Sequence, residues 1–161
     1  MEDDRILLLQ YDLTENTYTL TQLPVGIDLV FDIAYDTTYE RLLLYYRTSY
    51  DGKERLAFFT GEEENVPNPF YTVPAKGWIH RDEVRIVGDY VYFCVYYPNN
   101  DYHWENGLTL VAHNMTDGKN RTVEKTFDVF SDNENVYCLS FRYDTRDEES
   151  VWTRTIKKII F

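Results

Sequence analysis

The stretch GDYVYFCVYY, residues 88–97, decides the fold class. A Gly-Asp turn precedes a run of aromatic and β-branched residues, the types that suit a pleated, half-buried surface. After a polar loop, a second run of this kind follows, LTLVAH at 108–113. Two such runs bounded by turn residues predict strands rather than helices.

Short runs of this kind recur along the whole chain, and we find no long segment with the capped i, i+3, i+4, i+7 apolar spacing of a helix. We therefore predict an all-β fold with at least about 45% strand and under about 10% helix. Within one run, 17–23, Tyr18 and Leu20 share a face. The predicted strands cover 6–11, 17–23, 29–35, 41–48, 55–60, 70–73, 83–87, 90–97, 108–113, 122–127, 128–130, 136–143 and 151–161.

The strands that follow charged hairpin loops are regularly spaced. They begin at Arg5, Arg55, Leu108 and Val151, at spacings of 50, 53 and 43 residues. Four strands in each period of about 40 to 50 residues are typical of propeller blades. We predict one all-β domain or propeller segment with antiparallel four-stranded, propeller-like repeats. A β-sandwich or barrel is the alternative, because its strands are also evenly spaced. The predicted repeats are 1–28 (partial), 29–82, 83–127 and 128–161 (partial).

Two segments, GDYVYF at 88–93 and LTLVAHNMTDGKNR at 108–121, together resemble a blade of the lipoprotein-receptor (YWTD-type) propellers. The likeness consists of an aromatic strand followed by a later Asp-Gly turn. Segments 34–46 and 135–138 match the same pattern more loosely. The resemblance implies a propeller scaffold whose loops contact protein partners.

A second resemblance concerns RDEV at 81–84 followed by 88–92, which is similar to blades of five-bladed glycoside hydrolases. It implies that Asp82 is a catalytic carboxylate. Glycoside hydrolysis needs two carboxyl groups at a defined separation, one with a raised pKa. The chain has 28 acidic residues, so one aspartate beside an arginine carries little information. We predict no catalytic residues and keep the glycosidase-like enzyme as the alternative.

Composition excludes several other classes of partner. The chain has 161 residues, with 16 Lys plus Arg against 28 Asp plus Glu and a net charge of −12. This charge repels phosphate backbones, so we expect no nucleic-acid partner. No apolar stretch reaches 18 residues, which argues against membrane insertion. The start lacks a signal-peptide pattern, so we expect a cytoplasmic location, or an extracellular one if the chain is part of a secreted or receptor protein.

The cysteines and histidines do not form a recognisable ligand set. Cys94 and Cys138 lie within apolar strand patterns, which predicts buried, reduced thiols. His80, His103 and His113 are too far apart in sequence to form a metal motif. No glycine-rich phosphate loop is present, so we predict neither a metal nor a cofactor.

The long polar loop at 98–107 holds the candidate binding residues Tyr102, His103 and Trp104. Exposed aromatic residues on a loop commonly anchor a protein partner. The run 151–161 is long and ends in Ile-Ile-Phe, which predicts that the chain either belongs to a larger propeller or self-associates through this C-terminal strand. The sequence therefore indicates a non-catalytic protein-binding or scaffold module.

Overall fold

The structure is a computed structural model that describes residues 5–61, 64–80, 83–97, 108–132, 134–144 and 151–160. It is 62% strand and 1% helix, and its sheets are antiparallel, which confirms the all-β prediction. Neither a closed barrel nor a propeller ring is assigned within the described residues, so both stay predictions. The chain forms two compact units, Met1–Thr72 and Val73–Phe161.

Unit 1 contains a two-stranded and a four-stranded sheet. The strands β1 and β2 form a hairpin by themselves, and the other four pair in the order β3-β4-β5-β6. Every pairing joins strands that are neighbours in sequence. The strands are β1 (Leu7–Asp12), β2 (Thr17–Gln22), β3 (Ile27–Asp36), β4 (Arg41–Thr48), β5 (Glu54–Phe59) and β6 (Tyr71–Thr72).

One buried cluster of unit 1 lies on one face of the four-stranded sheet. The other face also has fully buried side chains, Leu43, Tyr45 and Leu56. Tyr46 is fully buried, and its hydroxyl donates a hydrogen bond to the carbonyl of Pro67 at 3.0 Å. Burial raises the pKa of Tyr46 to about 12. Ile6 and Leu8, at the start of the hairpin, pack against the cluster that contains Tyr46. The buried members of this cluster are Leu23, Ile27, Leu44, Tyr46, Ala57 and Phe59.

Unit 2 is one antiparallel sheet in the order β13-β12-β11-β10-β9-β7, with β8 also paired to β9. Its long middle strand takes part in two different pairings, because residues 120–126 pair with β10 and residues 126–131 pair with β12. The strands are β7 (Trp78–Ile79), β8 (Arg85–Val87), β9 (Tyr90–Tyr96), β10 (Leu108–Asn114), β11 (Asn120–Ser131), β12 (Val136–Asp144) and β13 (Val151–Ile159).

The sheet of unit 2 is folded over at β11. Cys94 on β9 and Cys138 on β12 belong to one buried cluster, although their strands are three places apart in the sheet. In a flat sheet, three strand spacings would separate them by about 14 Å. The register shifts at Leu108/Leu110 and at Thr126/Asp128 supply the bend, since bulges bend and twist a strand. This cluster therefore lies on one side of a bent sheet, and the other face of β9 also has fully buried side chains, Val91, Phe93 and Val95.

Three hairpin turns share one construction. In each turn, a side-chain oxygen of Asp12, Asp36 or Asn114 accepts the backbone N–H groups two and three residues ahead, at 2.8–3.3 Å. Such Asx turns satisfy backbone donors that have no ladder partner. The fourth residue after each of these adopts a positive φ: Asn16, Glu40 and Gly118.

A hydrogen-bonded ion pair closes the hairpin between β4 and β5. The guanidinium of Arg55 donates to both carboxylate oxygens of Asp51, at 3.0 and 2.6 Å. The hydroxyl of Thr48 donates to the same carboxylate at 2.6 Å. These hydrogen bonds, above all those from Arg55, hold the pKa of Asp51 well below its usual range.

The lowered pKa of Asp51 makes a prediction about pH. Its ionised form contributes stability that is fully present above the unfolded-state pKa of about 3.9 and is lost as the pH falls through the folded-state pKa. We expect Asp51→Asn to lower the urea midpoint at neutral pH, and this deficit to shrink steadily below about pH 4. Glu15→Gln, a change at an exposed carboxylate, is the control. A deficit for Asp51→Asn that is the same at every pH would contradict the prediction.

Candidate functional site

The β1–β2 hairpin presents an apolar face to solvent. The register places Leu9 opposite Leu20 and Tyr11 opposite Tyr18. Since side chains two residues apart on a strand share a face, Leu7 belongs to the same side. These five side chains are between 49% and 66% exposed. We call this set, Leu7, Leu9, Tyr11, Tyr18 and Leu20, the hairpin face.

The opposite side of the hairpin is the more polar one. Leu8 lies there opposite Thr21 and is half-buried against the core of unit 1. Thr17 and Thr19 lie on the same side. The register keeps the apolar set together on one face, and the packing of Leu8 against the core of unit 1 leaves that face exposed. Large exposed apolar patches are uncommon on monomeric proteins.

A groove of about 350 Å³ adjoins the hairpin face within unit 1. Four consecutive residues of β1, 7–10, line it. Because side chains alternate along a strand, consecutive residues line one groove only where the backbone edge faces it. Among the described residues, β1 pairs with β2 alone and β3 with β4 alone, so each has one edge without a ladder partner. The groove residues are Leu7, Leu8, Leu9, Gln10, Thr21, Ile33, Tyr35 and Leu42.

The lining of the groove is mainly apolar. Its described lining contains no carboxylate, imidazole, amine or thiol that could transfer a proton or attack a substrate. Ile33 and Tyr35 remain 42% and 54% exposed beside it, and Leu42 pairs across from Tyr35. An apolar wall beside an open strand edge provides both side-chain contacts and backbone hydrogen-bonding groups to an extended segment.

A second concave region, of about 420 Å³, lies in unit 2. Its aromatic residues Tyr90 and Tyr92 have ring centroids 5.9 Å apart, and the guanidinium of Arg121 lies 5.7 Å from the centroid of the Tyr90 ring. Its lining mixes apolar and charged residues, so it is more polar than the groove. These residues are Val87, Gly88, Asp89, Tyr90, Tyr92, Glu134, Asn135, Val136, Lys158 and Ile159.

The candidate residues from the sequence fall on other parts of the chain. Tyr102, His103 and Trp104 lie outside the described residues, as does Asp82 of the glycosidase-like alternative. The hairpin face was missed, although the sequence placed Tyr18 and Leu20 on one face. The signal was the alternation of Leu7, Leu9 and Tyr11 on the facing strand.

The predicted cysteine environment is present in the structure. Cys94 and Cys138 are both free and buried. Desolvation by burial raises the pKa of Cys94 to about 12, which keeps this thiol protonated and unreactive near neutral pH.

His113 is buried, with its Nδ1 2.8 Å from Oδ1 of Asn120. No group of three or more metal-ligating side chains occurs in the part of the chain that the structure describes.

Among the described residues, no helix is long and apolar enough to cross a bilayer. No protein-family model, curated protein or solved structure matches this chain. The proposed function therefore rests on the geometry of unit 1.

Proposed function

We propose that this chain is a non-catalytic protein-binding module that holds an extended, apolar segment of a partner against its N-terminal hairpin. The observation that carries the proposal is the outward orientation of the hairpin face. Burying apolar surface releases about 25 cal/mol per Å², so this face gains free energy when a partner covers it. In the structure these residues remain exposed, while Leu8 on the opposite side packs against the core of unit 1.

An extended segment fits the groove better than a helix does. The groove follows the edge of β1 over residues 7–10 and is flanked by β3, whose outer edge is also without a described partner. A strand added to such an edge obtains affinity from backbone hydrogen bonds and specificity from alternate side chains. Ile33, Tyr35 and Leu42 provide the apolar surface for those side chains.

The use of carboxylates in this chain supports a role without catalysis. The pKa values of Asp12, Asp51 and Asp132 are all lowered, by hydrogen bonds that each carboxylate accepts within its own turn. A glycosidase acid needs the opposite shift. The alternative enzyme would require Asp82 and a second carboxylate to converge at one cavity.

A repeated scaffold is part of this proposal. Its support is the spacing of the predicted strands at 50, 53 and 43 residues, which is typical of propeller blades that present loops. We propose the loop with Tyr102, His103 and Trp104 as a second contact region on sequence grounds.

The proposal is tested by selecting ligands directly. A display library of random peptides about 12 residues long is selected on the wild-type protein and counter-selected on Leu9→Thr/Leu20→Thr. We expect enriched peptides with apolar residues at alternate positions. Synthetic copies should bind the double variant at least about tenfold more weakly than wild type. Threonine keeps the strand propensity while it removes the apolar contact.

The matched control is Leu13→Thr, the same substitution at a turn residue that is 87% exposed and lies outside the hairpin face. It should leave the Kd unchanged. Circular dichroism checks that all variants keep the β fold. If no peptides are enriched, or if enriched peptides bind wild type and the double variant equally, the hairpin face is not the binding site.

A further inference from the structure

Charge is unevenly distributed between unit 1 and the last strand. Residues 1–72 contain 14 Asp plus Glu against 5 Lys plus Arg, a net charge of −9. Strand β13 contains Arg154, Lys157 and Lys158 and no acidic residue, a net charge of +3 in nine residues. The strand is therefore electrostatically complementary to unit 1 of another molecule.

Strand β13 also has exposed apolar residues. It pairs with β12, and no second described strand pairs with its other edge. Ile159 faces the core of unit 2, so alternation places Arg154, Ile156 and Lys158 on the outer side. Ile156 is 63% exposed, and Ile160, directly after the strand, is 83% exposed. The outer side therefore carries two exposed apolar side chains, Ile156 and Ile160, that can contact the apolar wall of the groove.

We propose that strand β13 of one molecule docks into the groove of unit 1 of a second copy of this chain. This inference rests on the proposed function and names its partner. The free edge of β13 supplies backbone groups to the edge of β1, and Ile156 and Ile160 supply apolar contacts to the wall formed by Ile33 and Tyr35. The positive charges of β13 then come close to unit 1, whose net charge is −9.

The two docking surfaces are different patches, so the interface is heterologous. After the first contact, one molecule of the pair still has an empty groove and the other still has an unused β13, so further copies can add. Such addition gives a closed ring or an open filament. Part of the attraction is electrostatic, so association should weaken as salt is raised above about 0.15 M. The apolar contacts are not screened and should remain.

The first experiment measures self-association of the full chain by sedimentation velocity. We expect the weight-average mass of wild type to rise between about 5 and 100 µM. Leu9→Thr/Leu20→Thr, with an altered groove, and Ile156→Thr/Ile160→Thr, with an altered strand, should each stay monomeric. Leu13→Thr should associate as wild type does. A wild type that stays monomeric throughout, or an Ile156→Thr/Ile160→Thr variant that associates normally, would overturn the inference.

The second experiment mixes the two monomeric variants. One keeps an intact β13 and the other keeps an intact groove, so the mixture can form a single interface and should give a 1:1 complex. An edge-to-edge pairing of two β13 strands would give no complex in the mixture, because one strand of each pair carries the substitutions. The absence of a complex therefore also overturns the inference.

A synthetic peptide of residues 151–161 separates this inference from the proposed function. It should bind wild type, and its Ile156→Thr/Ile160→Thr form should bind at least about tenfold more weakly. If the library-selected peptides bind the hairpin face and this peptide does not, the proposed function stands and the self-docking inference fails. If neither binds, both fail.

Discussion

Leu110→Ala is expected to lower the free energy of unfolding by about 2–5 kcal/mol, a large share of the ~5–15 kcal/mol that stabilises an ordinary domain. Leu110 is fully buried and lies opposite Cys94 on one side and Val123 on the other. It is part of a buried cluster of unit 2. Because Leu110 is held between two paired strands, the substitution leaves a cavity that the neighbouring backbone cannot readily fill.

Urea denaturation followed by circular dichroism measures the effect. The control is Leu13→Ala, the same substitution at a side chain that is 87% exposed, for which a change within about 0.5 kcal/mol is expected. Equal effects at the two positions would mean that Leu110 does not lie in a packed core.

Gly77→Ala is expected to cost about 3 kcal/mol, at the upper end for overpacking. A Cβ atom at this position would lie 2.7 Å from the carbonyl oxygen of Tyr96 and 3.1 Å from that of Pro74. Both obstacles are backbone atoms, so no rotamer change relieves the contact. Trp78, the next residue, pairs with Tyr96 and stacks on its ring at 4.1 Å. The pairing of β7 with β9 therefore has to open.

The control for Gly77→Ala is Lys76→Gly, one residue earlier. Lys76 has a φ of 64°, a left-handed conformation that costs a side-chain-bearing residue about 1 kcal/mol. Glycine removes that strain, but it also increases the conformational entropy of the unfolded chain, and the two effects on the free energy are similar in size. The net change in the free energy of unfolding should therefore be near zero. Urea midpoints of the two variants measure the difference. A Gly77→Ala midpoint close to that of Lys76→Gly would contradict the steric argument.

The strands could be predicted from the sequence where a continuous run of aromatic and aliphatic residues is bounded by turn residues. The run at 41–48 is β4 with the same bounds, and the run at 90–97 is β9 within one residue. Alternation fails at β11, which the sequence divides at Phe127/Asp128. There the register shift between Thr126 and Asp128 breaks the period of two while the strand continues. A bulge depends on the partner strand, which a single run of sequence does not reveal.

The candidate site was harder to predict than the fold. Alternation in β1 identifies Leu7, Leu9 and Tyr11 as one face, and ordinarily a hydrophobic face is assigned to the core. Here Ile6 and Leu8 occupy the core side instead. Which face of the hairpin is buried depends on packing against the core of unit 1, and this packing is not specified by the sequence of the hairpin alone. The charge contrast between unit 1 and β13, in contrast, was present in the sequence.

The pairing of each strand with its sequence neighbours has a consequence for how the chain reaches its native state. In both units, each described pair of strands is joined by a single connecting segment, except that β7 and β9 are separated by the short β8. Closing short loops costs little entropy, and proteins rich in local contacts cross their folding barrier faster than β proteins with distant pairings. Hairpins such as β1–β2 and β10–β11 can form on the microsecond timescale and then zip onto the next strand. The sheets of each unit can thus assemble strand by strand from the amino terminus, in the order in which a ribosome releases them.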